Sequence, residues 1–187
     1  MRLLSFPEPA TPAELRAQVI RLQDEAWPAA GPPVGHDPAL RPLSMLLLDG
    51  DTVLSALDIL FKDIEHAGQR YRAGGLSTVV TSQAVRRHGY GRQLVSAARE
   101  RMHAMALDLG VFTCDRPLQS FYESAGWQLL AGTVLVGGTP DTPFPSDQPG
   151  FDKLTIGCFF STMALQHQQS FRSARIELYP GLIDKLW

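Results

Sequence analysis

A β-branched run, Thr78-Val79-Val80-Thr81, passes through a short loop into a stretch of helical periodicity, and two glycines, Gly89 and Gly91, stand where the helix begins. This junction constrains the fold more than any other feature, because a strand that feeds directly into a helix is a building unit of α/β sheets. A helix start carries unpaired N–H groups and a partial positive charge, and glycines let an anion come close to the backbone. Arg86, Arg87 and Arg92 add positive charge at the same end, where it opposes the helix dipole unless an anion is bound. The segment is therefore expected to hold an anion, with Arg86, Arg87 and Arg92 placed to pair with phosphate.

Spacing excludes the other glycine-rich phosphate loops. A dinucleotide fingerprint requires a third glycine where Leu94 stands, and a Walker loop requires Gly-Lys-Ser/Thr where the chain reads Gly91-Arg92-Gln93. No Gly-x-Ser-x-Gly elbow and no His-Glu-x-x-His helix occurs. His36, His66, His103 and His167 show no ligand spacing, so they are expected to be solvated or capping residues, with no metal bound. Cys114 and Cys158 lack the clustering of a zinc site or a secreted disulfide scaffold and are expected to be buried thiols. Met102 and Met105 read as core residues of the helix.

The remaining elements follow from local chemistry. Leu3 to Phe6 reads as a strand, and Thr11-Pro12-Ala13-Glu14 as a capping box opening a helix whose Leu15, Val19, Leu22 and Ala26 share one face. PAAGPPVGHDPALRP (28–42) can continue neither helix nor strand and is expected to be a long functional loop. Ser44–Leu48 and Thr52–Phe61 read as a hairpin across Asp49-Gly50-Asp51, and a second reversal falls at His66-Ala67-Gly68. Strand Gly75–Thr81 leads to a helix from about Gly89 to about Leu107. Then come strand Val111–Cys114, helix Pro117–Ser124 capped by Asp115, strand Trp127–Val136, a loop rich in proline and glycine, and strand Leu154–Phe160. A hydrophobic share of 44% against 19% charged residues is enough to pack one interior, so a single domain over 1–187, with 162–187 as a C-terminal tail, is expected. The net charge of -2 gives no general field for nucleic acid or membrane, and no apolar run approaches a bilayer's thickness, so a cytoplasmic protein is expected.

Arg86-Arg87-His88-Gly89-Tyr90-Gly91 resembles the Arg/Gln-x-x-Gly-x-Gly/Ala signature of the GNAT superfamily of N-acetyltransferases. Phe121-Tyr122-Glu123-Ser124-Ala125-Gly126-Trp127 is similar to the Tyr-x-x-x-Gly-Phe/Trp element that closes the short fourth helix of these enzymes. The resemblance extends over nearly the whole chain. It implies an α/β (α+β) fold in which a mixed central sheet of about six to seven strands is flanked by about four helices. It also implies acetyl-CoA as cosubstrate. Within the superfamily the chain most resembles aminoglycoside 2′-N-acetyltransferases, through its Arg-rich loop, Tyr122 to Trp127, the Thr139-Pro140-Asp141-Thr142-Pro143 loop, and Trp187 shortly after Asp184.

Carried over residue by residue, Val79, Val80 and Thr81 would meet the pantetheine arm, and the residues from Arg86 to Arg92 the pyrophosphate. Tyr122 would protonate the departing thiolate, and a backbone N–H near Val79 would hold the oxyanion. The similar enzymes carry a glutamate base where Ser77 stands, and a serine hydroxyl does not accept a proton at neutral pH by itself. Substitutes expected from the sequence are the terminal carboxylate of Trp187, Asp184, Asp152 and Asp37, the three aspartates doubling as binding groups for the amine. Asp184 stands one residue further from the terminus than in those enzymes. The leading expectation is acetyl transfer to a small-molecule amine such as an aminoglycoside. The alternatives are a protein amine as acceptor, or an acyl-CoA-binding module without catalysis. A homodimer built on the segment from Leu165 onward is also expected.

Overall fold

The structure, a computed structural model, describes residues 1–28 and 35–178. The described chain runs β1 (Arg2–Pro7), α1 (Ala13–Ala26), β2 (Leu43–Asp49), β3 (Thr52–His66), β4 (Gln69–Thr81), α2 (Tyr90–Ala104), β5 (Leu109–Cys114) and α3 (Gln119–Ser124). It continues through β6 (Gln128–Leu129), β7 (Val134–Gly138), β8 (Pro143–Pro145), β9 (Leu154–Phe159), α4 (Thr162–Gln166) and β10 (Arg175–Glu177). A seven-stranded sheet has the order β1-β2-β3-β4-β5-β9-β6, and a smaller one the order β10-β7-β8. All pairs of the large sheet are antiparallel except β4 with β5. The mixed α/β architecture expected from the sequence is the observed one.

Alternation along the long strands builds two faces. Met45, Leu47, Leu57, Ile59 and Phe61 join Leu94, Val95, Ala98 and Met102 of α2 in one core. Leu46, Leu48 and Ala56 point the other way, onto the α1 stripe of Leu15, Val19, Leu22 and Ala26. Further along, Leu60, Ile64, Tyr71 and Ala73 pack with Phe171 and Ile176. The stretch expected as a tail is thus, as far as Leu178, part of the interior: Phe171 and Ile176 are both fully buried, and β10 pairs in parallel with β7. Burying each such side chain is worth about 1.5–3 kcal/mol.

Three local expectations are corrected. The capping box at Thr11 does not form: Pro12 is the cap residue, and the Thr11 hydroxyl is buried without a partner. The short turn Glu8–Ala10 ends on Thr11, whose N–H bonds the Glu8 carbonyl. Asp115 does not cap its helix either, because its carboxylate pairs with Lys153. Trp127–Val136 is not one strand. Gly132, at φ +71° and with no room for a Cβ beside Ser173, turns the chain so that β6 pairs with β9 while β7 enters the small sheet. Among the described residues no helix is long and apolar enough to cross a membrane.

Candidate active site

Two irregularities of β4 define the site. Its parallel ladder with β5 holds only at Ala73–Gly74 against Leu109–Gly110 and then ends, although both strands continue. Ser77, Thr78 and Val79, just beyond, are partly exposed after the buried run 73–76. On the other side, Ala56 pairs with Val80 but Asp58 with Ser77, so Thr78 and Val79 together face Leu57. This is a bulge, and Thr78 sits in it at φ +50°, a conformation that strains a β-branched residue. Bulges re-aim backbone groups at sites of function.

Beyond β4, the turn Gln83–Val85 leads to Arg87 at φ +68° and Gly89 at φ +86°, and α2 starts at Tyr90. The first helical backbone bond runs from Gln93 N–H to the Gly89 carbonyl, leaving the N–H groups of Tyr90, Gly91 and Arg92 to point out of the helix start. Arg86, Arg87, His88 and Gly89 are exposed. His88 Nδ1 lies 3.0–3.1 Å from the carbonyls of Val85 and Arg86, and Arg86 Nε donates to the Thr81 carbonyl at 3.3 Å. The two glycines serve different ends. A Cβ at Gly89 would meet Arg92 Nη2 at an unstrained 3.9 Å, whereas one at Gly91 would lie 2.7 Å from Thr81 Oγ1. Gly89 provides the left-handed turn, and Gly91 lets α2 close on the end of β4.

Tyr122, on α3, is 5% exposed and packs edge-on against Phe112 and Phe121 at 4.9 Å. Trp127 packs edge-on against Phe112 from another side, above Gly110, where a Cβ would lie 2.6 Å from the indole. Burial raises the Tyr122 phenol above its ordinary range, and the charges of Cys114 and Asp115 raise it further. The phenol therefore keeps its proton at neutral pH and can donate it. Burial, then Asp115, pushes the neighbouring Cys114 thiol up to about 11, against the opposing charge of Lys153.

On the α1 face of the bulge lies a cluster that the sequence did not suggest. Asp58, 5% exposed, accepts from Ser44 Oγ at 2.5 Å and from Thr78 Oγ1 at 2.6 Å. His36 Nε2 lies 3.0 Å from Ser77 Oγ, and Nδ1 lies 3.3 Å from Glu8 Oε1 and 4.0 Å from Asp58 Oδ2. The His36 backbone N–H also donates to Glu8 Oε2, at 3.2 Å. Glu8, His36 and Asp58 each offer a ligand atom within 4.8 Å of the others. The reading of His36 as a solvated or capping residue is corrected, because nothing in the local sequence ties it to groups 28 and 41 residues away. A histidine between two glycine- and proline-rich stretches of a long loop was the only available signal.

Of the substitute carboxylates, Asp37 and Asp152 lie among the described residues, and each is already engaged. Asp37 caps the turn Pro38–Leu40 through the Ala39 N–H at 2.8 Å. Asp152 is exposed and held by Arg116 at 2.7 and 2.8 Å, which keeps its carboxyl below the usual range. Asp184 and Trp187 lie outside the described residues. Val80 is buried, its carbonyl accepting from Ser55 Oγ at 2.6 Å, and Thr81 Oγ1 lies 2.9 Å from the same hydroxyl.

Residues 8–130 match the family model described as an acetyltransferase (GNAT) domain. The chain belongs to the GNAT acetyltransferase family. That family comprises acyl-CoA-dependent N-acyltransferases. Solved GNAT-type structures share the fold at low identity. An acyl-CoA N-acyltransferase from Pseudomonas aeruginosa is 16% identical with a TM-score of 0.57, covering 83% of this chain and 97% of its own. ElaA from Escherichia coli is 16% identical with a TM-score of 0.55, covering 84% of this chain and 99% of its own. An aminoglycoside 6′-N-acetyltransferase complexed with coenzyme A is 12% identical with a TM-score of 0.59, covering 86% and 98%. No curated protein matches the sequence at a significant level.

Proposed function

We infer that this GNAT protein transfers acetyl from acetyl-CoA to an amine of a small molecule, by direct attack within a ternary complex and within one catalytic domain over residues 1–187. The observation that carries this reading is the pairing of two features: the outward N–H groups at the start of α2, set among Arg86, Arg87 and Arg92, and the unpaired stretch of β4 that leads to them. A diphosphate fits the first, because anions are favoured where amide dipoles and guanidinium groups converge. An extended, amide-bearing arm fits the second, with Val79, Val80 and Thr81 beside it. The bound thioester would then lie near the bulge. Its oxyanion would be met by an N–H near Val79, and the leaving thiolate by the phenol of Tyr122.

The acceptor class we favour is a polycationic amine of the aminoglycoside kind, a class that the names of two structural neighbours carry. Glu8 and Asp58, on the α1 face of the bulge, supply negative charge suited to an ammonium. The finer 2′ regiochemistry suggested by the sequence belongs to the same proposal, as do roles for Asp37, Asp152, Asp184 and Trp187 in holding the amine.

Titration calorimetry with coenzyme A, followed by an amine screen reporting free thiol, tests the reading. Micromolar binding and thiol release dependent on one amine class are expected. No association with coenzyme A overturns it, and association without turnover on any amine converts it to the binding-module alternative.

A further inference from the structure

Glu8, His36 and Ser77 come from three separate parts of the chain, and both imidazole nitrogens of His36 are engaged. A carboxylate only accepts hydrogen bonds, so the nitrogen facing Glu8, Nδ1, carries the hydrogen. Nε2 is then the acceptor, and the Ser77 hydroxyl donates to it. The neighbours therefore fix the tautomer, and the basic nitrogen faces the residue that stands at the bulge. With side-chain exposures of 9% for His36 and 17% for Glu8, the pair is shielded from bulk water. Asp58 Oδ2 lies 4.0 Å from Nδ1 on the same side of the ring as Glu8.

We propose that Ser77, His36 and Glu8 form a proton relay that deprotonates the acceptor amine, with His36 Nε2 as the base and Ser77 Oγ as the group that meets the amine. This rests on the acetyltransferase reading above. The substrate ammonium gives one proton to Ser77 Oγ as the Ser77 hydroxyl proton passes to His36 Nε2. The amine lone pair then forms the C–N bond at the thioester carbonyl, and the C–S bond breaks with its electron pair on sulfur. The second amine proton, shed from the tetrahedral nitrogen, ends on the thiol, and the imidazolium releases the first to water. Glu8 and Asp58 are positioning residues, since they act through the ring. Charged groups facing the ring are Glu8 after β1, Asp58 on β3 and, from α1, Arg16, whose guanidinium flanks Gly35 together with the Glu8 carboxylate.

A metal ion is the competing use of Glu8, His36 and Asp58. The relay is favoured because the ligand atoms already have partners: both Asp58 oxygens accept hydroxyls, and Nδ1 is bonded to Glu8.

The test uses the full chain, acetyl-CoA, and kanamycin and spermidine as acceptor probes. His36→Gln is expected to lower kcat/KM by roughly 10²- to 10⁴-fold, leave coenzyme A affinity unchanged, and flatten the rise of rate with pH. His36→Ala should recover part of the rate in added imidazole, and Ser77→Ala, which keeps the ring, should lose less. Glu8→Gln should lower kcat more than it raises KM. Full activity of the His36 variants with an unaltered pH profile overturns the relay while leaving the acetyltransferase reading intact. Parent activity that is lost to a chelator and restored by zinc assigns the cluster to a metal and also overturns it. So does a stable acetyl group on the Ser77 peptide after incubation with acetyl-CoA alone, which would make Ser77 a nucleophile. If either His36 variant fails to fold, Ser77→Ala carries the same comparison. A parent that binds no coenzyme A fails the earlier reading instead, and takes the relay with it.

Discussion

The hydroxyl of Ser77 meets Nε2 of His36 at 3.0 Å across 41 residues of sequence. Asp58, directly across the ladder from Ser77, braces that meeting by holding Thr78 in its strained bulge conformation.

Asp58→Ala removes an acceptor from two hydroxyls, Ser44 and Thr78. Buried groups left unsatisfied cost about 1–3 kcal/mol. Urea unfolding should show a lower midpoint, and the relaxed bulge should weaken coenzyme A binding in calorimetry. A variant with unchanged stability and affinity would show that Asp58 does not support the bulge.

Gly91→Ala and Gly89→Ala should separate packing from backbone strain. The first forces a Cβ to within 2.7 Å of Thr81 Oγ1 and must push α2 off β4, an overpacking cost of about 1–3 kcal/mol. The second has room for a Cβ but φ +86°, for which roughly 1–2 kcal/mol is expected. Both should weaken coenzyme A binding, measured against their own unfolding curves.

Tyr122→Phe keeps the ring contacts with Phe112 and Phe121 and removes only the phenol. Turnover should fall on the order of 10²-fold, with stability and coenzyme A affinity retained. Rapid-quench rates equal to the parent's would remove the proton-donor role.

The Cys114 thiol is pushed up to about 11 from 9.0, so the unfolded chain ionises it first. Unfolding therefore gains as pH climbs: the stability this group contributes is complete below about pH 9 and disappears through about pH 11. Tyr122, also raised, adds in the same direction at still higher pH. Thermal melts across the alkaline range should decline, and Cys114→Ala should flatten the first part of that decline. Alkylation of Cys114 in the native protein should also be slow near neutrality.

The features legible in the sequence are those encoded by neighbours along the chain. The periodicity of Leu15 to Ala26, the hairpin at Asp49-Gly50-Asp51 and the glycines at the start of α2 each announce themselves within a few residues, and the structure has each in place. The caps expected at Thr11 and Asp115 do not form for different reasons: the preceding turn takes up the Thr11 backbone N–H, and Lys153, 38 residues further on, takes the Asp115 carboxylate. The break at Gly132 depends on Ser173, and the burial of Phe171 depends on β3, more than a hundred residues earlier. The Glu8–His36–Ser77 contact is of the same kind. A long proline-rich loop marks a place where something happens, but which strand it folds against is decided by the sheet.

The early end of the β4–β5 ladder leaves a central sheet with an interior edge, a feature that proteins ordinarily cover or avoid. A ligand that carries its own amides along that gap would act as a substitute strand, joining the two halves of the sheet by β-augmentation. Cofactor loading would then stiffen the whole domain, and amide protons of both β4 and β5 would exchange more slowly in its presence.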